Sequence, residues 1–440
     1  MGLGEAPPSG RKRSVSAIEV APARYALYAR YPELRTTLPR LALGTGPSPV
    51  VPLTRLSEKL GGPQLWVKND GLYGSVYGGN KARKLELIIA DALRRGRRTI
   101  ITVGATGTNH GLATALYGRE HGLRTVLLLV EQPVTDRVRR QVWRLHKAGA
   151  VLYRARTVPR AAALAPLVMV RHADWRRARL PYFLPAGGSS PLGAVGFVNA
   201  ALELADQVAA GELPEPAHIF VALGSAGTAA GLLLGLRLAG LRSRLEPVLV
   251  SDLTPLSSKK VAGLANRTAR LLRQRGAPLP RGEIAPEEVT VLSDWLGDGY
   301  GHSTLAGSRA EDLLRETEGL ELEGVYTAKT MSALVGLVEA GELREGPVLY
   351  WHTYNALPLP FGTPTEEDLR RLPRAFRDLA LRNMEMGDVG AGLALPRAPA
   401  RGAPTSGGNL RVAATGGRRN RRTAREQGAA WTGGAPWRGT

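Results

Sequence analysis

Short apolar runs rich in Val, Ile and Leu recur along this chain, and each is separated from the next by a stretch whose apolar residues fall at helical spacing. Residues 65–68, 99–103, 125–130, 218–223, 247–251 and 347–351 read as strands. Between them, Leu85/Ile88/Ile89, Leu112/Ala115/Leu116, Val138/Val142/Leu145, Val195/Val198/Leu202 and Met331/Leu334/Val335/Val338 mark helix faces. Strands that do not alternate with polar residues have no face for water, so they predict parallel sheets covered by helices on both sides. The expected fold is α/β. In such sheets ligands bind beyond the carboxyl ends of the strands, which makes the strand-to-helix turns the place to look for chemistry.

Composition removes several alternatives. The 440 residues contain no cysteine, which excludes disulfides, thiolate nucleophiles and metal sites built on sulfur. No apolar run approaches the ~18 residues of a membrane helix. Arg11-Lys12-Arg13 is followed by no apolar segment, so a cytoplasmic protein is expected, with no membrane partner. The net charge of +21 suggests nucleic acid at first sight. Yet residues 381–440 hold +7 of it and residues 1–40 hold +4, and 50 of the 59 basic residues are Arg. That skew fits a coding bias better than a phosphate-binding surface, and no nucleic-acid partner is expected. Residues 1–20 and the Gly/Ala/Pro/Arg-rich stretch 381–440 lack apolar periodicity and read as disordered. The folded body is then 21–380, with a smaller domain of about 75–195 inserted in a larger one.

Four turns concentrate glycine, hydroxyl and amine groups. Gly224-Ser-Ala-Gly-Thr-Ala-Ala-Gly231 follows an apolar strand and opens a helix. Its N–H groups, the helix dipole, and the Ser225 and Thr228 hydroxyls suit an anion. The same small residues also suit close helix–strand packing. Gly78-Gly-Asn-Lys-Ala-Arg-Lys84 places two of only nine lysines at a helix start. The dipole disfavours an ammonium there, and a desolvated lysine with a lowered pKa can form a Schiff base. Gly104-Ala-Thr-Gly-Thr-Asn-His-Gly111 could hold a carboxylate or ring hydroxyl, or Thr108 and Asn109 could simply cap a helix. The chemistry of Pro185-Ala-Gly-Gly-Ser-Ser-Pro-Leu-Gly193 is not readable alone. An anion turn combined with a helix-start lysine suggests a phosphorylated aldehyde, pyridoxal 5′-phosphate. The seven histidines show no metal-ligand spacing and no metal is expected. Asp294, Asp298 and Glu323 read as solvated loop acids, and Tyr350 and Trp351 as strand core.

Six collinear segments carry a resemblance. Gly79-Asn80-Lys81-Ala82-Arg83-Lys84-Leu85-Glu86 resembles the cofactor-lysine segment of the D-cysteine desulfhydrase and 1-aminocyclopropane-1-carboxylate (ACC) deaminase family, which belongs to the tryptophan-synthase-β-like, fold type II pyridoxal-phosphate enzymes. Thr108-Asn109-His110, residues 187–193, residues 224–231, Tyr300-Gly301 and residues 325–329 are similar to its further motifs in order, over roughly residues 40–360. The resemblance implies a two-domain fold type II body and a homodimer. It implies that Lys81 forms the internal aldimine and moves the α-proton, that Asn109 bonds the ring hydroxyl, and that Thr327 faces the pyridine nitrogen. Gly224, Ser225, Ala226, Gly227 and Thr228 would bind phosphate, Thr108 would take the place of the family's serine, and Tyr300 and Tyr326 would flank a small amino-acid substrate. The implied reaction is α,β-elimination on a D-cysteine-like substrate, giving a 2-oxo acid and ammonia. ACC-type ring opening and a non-catalytic binding paralogue are the alternatives. Thr327, where deaminase members carry glutamate, leans toward the desulfhydrase. The chain departs from the family at Thr108, at Leu112 where an arginine is common, and at Tyr354-Asn355 in place of two glycines, which should reshape the site.

Overall fold

A computed structural model describes residues 25–381 apart from Arg344 and Glu345. The expectations for the two ends, 1–20 and 381–440, lie outside these residues but for Leu381. Among the described residues nine strands form two sheets. The first contains β1 (Val50–Pro52), β2 (Leu65–Asn69), β7 (His218–Leu223), β8 (Arg244–Leu249) and β9 (Val348–His352), in the order β1-β2-β9-β7-β8. The second contains β3 (Thr99–Ala105), β4 (Arg124–Val130), β5 (Val151–Arg156) and β6 (Tyr182–Leu184), in the order β5-β4-β3-β6. All pairings are parallel except β1 with β2.

Each sheet is buried on both faces, as the unbroken apolar runs require. In β7, Ile219, Val221 and Leu223 pack into one core and Phe220 and Ala222 into another. In β4, Leu127 and Leu129 point one way and Val126 and Leu128 the other. Helices Pro191–Ala209, Gly227–Ala239 and Ser258–Gln274 cover one face of the first sheet, while Leu305–Glu318 and Thr327–Glu339 cover its other face. Helices Asn80–Arg94, Asn109–Glu120 and Asp136–Lys147 cover one face of the second sheet, and Val158–Arg171 the other. No helix among the described residues is long and apolar enough to cross a membrane. The two sheets aim their carboxyl ends at one cavity: Val103 and Ala105 of β3, Gly224 after β7, Ser251 after β8 and Thr353 after β9 all line it.

Two strand expectations need correction. β8 spans Arg244–Leu249 rather than 247–251, because Glu246 enters the strand interior and is held there by His218 (2.9 Å) and Arg244 (3.0 Å). The strands β1, β5 and β6 have no counterpart among the sequence runs; each lies at a sheet edge, where little apolar burial is needed.

Candidate active site

The cavity encloses about 1030 Å³ including its mouth. It gathers Lys81, Thr108, Asn109, Gly224, Ser225, Ala226, Thr228, Tyr300, Tyr326 and Thr327, ten of the eleven expected site residues. Gly227 is the exception. It lies one step behind, its N–H donating to Ser189 Oγ at 3.0 Å.

Lys81 stands in the first turn of the Asn80–Arg94 helix. The chain reaches that turn through two glycines under close contact. A Cβ on Gly78 would fall 1.8 Å from the Gly71 carbonyl oxygen, and one on Gly79, at φ 96°, 2.6 Å from that of Thr353. Gly79 N–H donates to the Asp70 carbonyl at 2.7 Å and Asn80 N–H to the Thr353 carbonyl at 3.2 Å. Asn355, one of the two departures after β9, accepts the Gly78 N–H at 2.5 Å. Tyr354 lines the cavity wall. Burial pushes the Lys81 amine down to about 8. Lys84, one turn on, is fully buried; its Nζ donates to the Gly187 carbonyl at 3.2 Å and has no carboxylate partner among the described residues. Burial, then the Lys81 charge, holds its pKa well below the usual lysine range.

Arg83, between them, turns away from the cavity into a buried charge cluster. It donates to Asp70 at 2.8 Å and Glu203 at 2.9 Å, and Lys68 meets Glu203 at 2.8 Å. Trp351 Nε1 donates to Asp70 at 2.9 Å, so this strand-core tryptophan is also a polar anchor. Burial opposes the Glu203 charge, but Arg83 and Lys68 hold its pKa down to about 2. Two cations and two carboxylates thus fasten the lysine-bearing helix to β2 and to the Pro191–Ala209 helix.

The turn after β7 is the candidate anion cradle. Ala226 adopts φ 65°, a left-handed conformation costly for a residue with a Cβ. It lets the Gly227–Ala239 helix begin beside the cavity, which Ala226 and Thr228 line. N–H groups at a helix start lack intrahelical partners and suit an anion, that of Gly227 being taken by Ser189 Oγ. The loop that chemistry left unread folds over this cradle: Ser189 Oγ donates to Ser225 Oγ at 2.9 Å, and Gly187 lines the cavity. Asn80 Nδ2 donates to Thr228 Oγ1 at 3.2 Å. A fully buried lysine amine with no carboxylate partner among the described residues, beside a helix start and the Thr228 hydroxyl, fits a phosphate.

Thr108 caps the Asn109–Glu120 helix, accepting the Gly111 N–H at 3.1 Å. Its extra methyl is accommodated because Gly111 has no Cβ; one would lie 2.5 Å from Thr108 Cγ2. His110 lines the cavity, its Nε2 3.0 Å from Thr102 Oγ1; burial, then Lys81 and Lys84, keeps the ring neutral. On the opposite wall the Tyr326 hydroxyl donates to that of Tyr300 at 2.8 Å. Burial raises Tyr300 to about 12 and Tyr326 well above the usual range, so both phenols are protonated near neutrality. Lys329 donates to the carbonyls of Leu296 (2.6 Å) and Gly299 (3.0 Å), fixing the approach to Tyr300. Thr327 Oγ1 accepts the Glu323 N–H at 2.6 Å and donates to the Glu323 carbonyl at 3.1 Å.

Glu323 corrects the sequence expectation. It is buried, lines the cavity, accepts the N–H groups of Val325 (2.8 Å) and Tyr326 (3.3 Å), and pairs with Arg137 at 2.6 Å. A loop acid is solvated by default, but here three donors replace the water. Nothing local in the sequence distinguishes Arg137 from its neighbours Arg139 and Arg140. Among the described residues no cluster of three or more His, Cys, Asp or Glu could hold a metal.

The family described as "Pyridoxal-phosphate dependent enzyme" matches residues 41–353. D-cysteine desulfhydrases of Klebsiella pneumoniae subsp. pneumoniae and Salmonella choleraesuis are each 36% identical over 329 residues, covering 73% of this chain and 95% of theirs. A crystal structure of an "ACC deaminase homologue" superposes with a TM-score of 0.63 at 29% identity, covering 76% of this chain and 95% of that one. With its helix-start lysine, anion cradle and fold type II sheets, the chain belongs to the pyridoxal-phosphate-dependent enzymes, in the family of D-cysteine desulfhydrase and ACC deaminase.

Proposed function

We propose that this enzyme is a carbon–sulfur lyase of D-cysteine-like substrates: with one water, the amino acid gives a 2-oxo acid, hydrogen sulfide and ammonia. Thr327 carries this reading. Its single hydroxyl proton is committed to the Glu323 carbonyl and one of its lone pairs to the Glu323 N–H. The position therefore presents a neutral group, where deaminase members carry glutamate, and a neutral group moderates electron withdrawal in favour of elimination at Cβ. The bound cofactor supplies an electron sink for the pair left when a bond at the substrate Cα breaks.

The residues divide the remaining work. Lys81, free amine in useful amount near neutrality, holds the cofactor aldehyde and takes the Cα proton. The residues around Ser225 and Thr228, with Lys84 behind them, bind the phosphate. Asn109 donates to the ring hydroxyl. Thr108 shapes the turn around the substrate carboxylate. Tyr326, donating to Tyr300, leaves the Tyr300 proton free for the departing sulfur. We also infer a cytoplasmic homodimer, which sedimentation of the purified protein tests.

Cofactor-loaded protein supplied separately with D-cysteine, L-cysteine and ACC tests the assignment. Sulfide and pyruvate from D-cysteine are expected. 2-Oxobutyrate from ACC without sulfide from cysteine would establish the deaminase instead, and a bound cofactor with no turnover of any of them a non-catalytic paralogue.

A further inference from the structure

We propose that Arg137 is a positioning residue that sets which end of the Asn109 amide faces the cofactor's ring hydroxyl; this rests on the cofactor reading above. Arg137 lies in the first turn of the Asp136–Lys147 helix, beside the second sheet. Its guanidinium meets Glu323 Oε1 at 2.6 Å and donates to Asn109 Oδ1 at 3.3 Å, and it stands 5.5 Å from the centre of the Tyr354 ring. Gln141, one turn along the same helix and buried, donates to the Thr108 carbonyl at 3.1 Å and to the same Asn109 Oδ1 at 3.4 Å.

Two donors on one oxygen decide the amide's orientation, because Nδ2 has no lone pair with which to replace it. Oδ1 faces the Asp136–Lys147 helix. Nδ2 has no partner among the described residues, and Asn109 lines the cavity, so the donor end is the one left for a ligand. An amide turned the other way would set oxygen lone pairs against the ligand's oxygen. Glu323 keeps the guanidinium from swinging away: its carboxylate is buried and itself pinned by the Val325 and Tyr326 N–H groups. The arginine thereby links the turn after β3 to the segment that presents Tyr326 and Thr327. A lysine there cannot reproduce the planar fork that serves both partners.

The test compares the affinity of the full-length apo-protein for pyridoxal 5′-phosphate and for 3-deoxypyridoxal 5′-phosphate, which lacks the ring hydroxyl. Arg137→Met should weaken the first by roughly tenfold, the worth of one hydrogen bond, and leave the second within about twofold. Asn109→Ala should reproduce this pattern, Arg137→Met should add nothing to it in the double variant, and Arg137→Lys should recover only part. Arg137→Met/Glu323→Gln, which leaves no carboxylate stranded, should show the same selective loss if the fold is intact. Equal weakening of both ligands, no weakening, or a further loss in the Asn109→Ala background would each overturn the role. Wild-type protein that binds neither ligand would overturn the cofactor reading itself.

Discussion

If burial sets the Lys81 amine at about 8, apo-protein captures pyridoxal phosphate with a pH profile an ordinary lysine cannot give. The reactive form is the free amine. At pH 7 a lysine of pKa near 10.5 is free about 0.03% of the time, whereas one near 8 is free about 10% of the time. The difference, roughly 300-fold in nucleophile, is what desolvation of this position contributes to capture. Mixing apo-protein with the cofactor in a stopped-flow spectrometer from pH 6 to 11, and following the visible band, reads it directly. The second-order rate should rise about tenfold per pH unit up to pH ~7.5 and level off above ~8.5. Borohydride should trap the cofactor on Lys81, and Lys81→Ala should trap none there. A rate still climbing at pH 10 would mean that the amine is solvated and that the wall around it is not the source of its reactivity. A rate flat from pH 6 would mean that a further cation lies closer than the geometry allows.

Three further outcomes follow from the walls of the site. Lys84→Met should weaken cofactor phosphate binding by tenfold or more, measured by equilibrium titration, while urea denaturation shows apo-protein at least as stable as wild type, because a buried amine with no carboxylate partner among the described residues is removed. Gly187→Val should lose cofactor affinity in the same titration: a Cβ there would lie 2.2 Å from Ser225 Oγ, and φ is +66°. Glu203→Gln should lower stability by ~3–5 kcal/mol at neutral pH, since it leaves the buried Lys68 without a carboxylate and Arg83 with Asp70 alone. With a folded pKa of about 2, below that of a free carboxyl, Glu203 stabilises fully above pH ~4.5, so the wild-type advantage over the variant should shrink between pH 4.5 and 2.

The buried strands and the glycine turns were legible for one reason: each concentrates residues of one physical kind in a short window. β7 reads from its five consecutive apolar residues, Ile219–Leu223, and the turn after it from its small and hydroxyl residues. β8 starts earlier than its apolar run because Glu246, solvated by default, is held in the strand by Arg244 two residues away and by His218 of the neighbouring strand, which no local window contains. The Arg137–Glu323 pair failed in the same way. Its halves are ordinary surface residues of a helix and a loop until the fold sets them 2.6 Å apart, and no periodicity announces a contact so distant in sequence. The turn around residues 187–189 was visible as unusual composition, yet its meaning as the roof of the cradle exists only beside Ser225.

The bond from the Gly78 amide to Asn355 makes the exit of β9 and the start of the lysine helix one joint. A side chain that reads as a change of cavity lining is thus a strut on the mounting of Lys81. Replacing Asn355 with glycine would free a backbone donor within a few residues of Lys81. The lining of the cavity and the placement of Lys81 are therefore coupled at this joint.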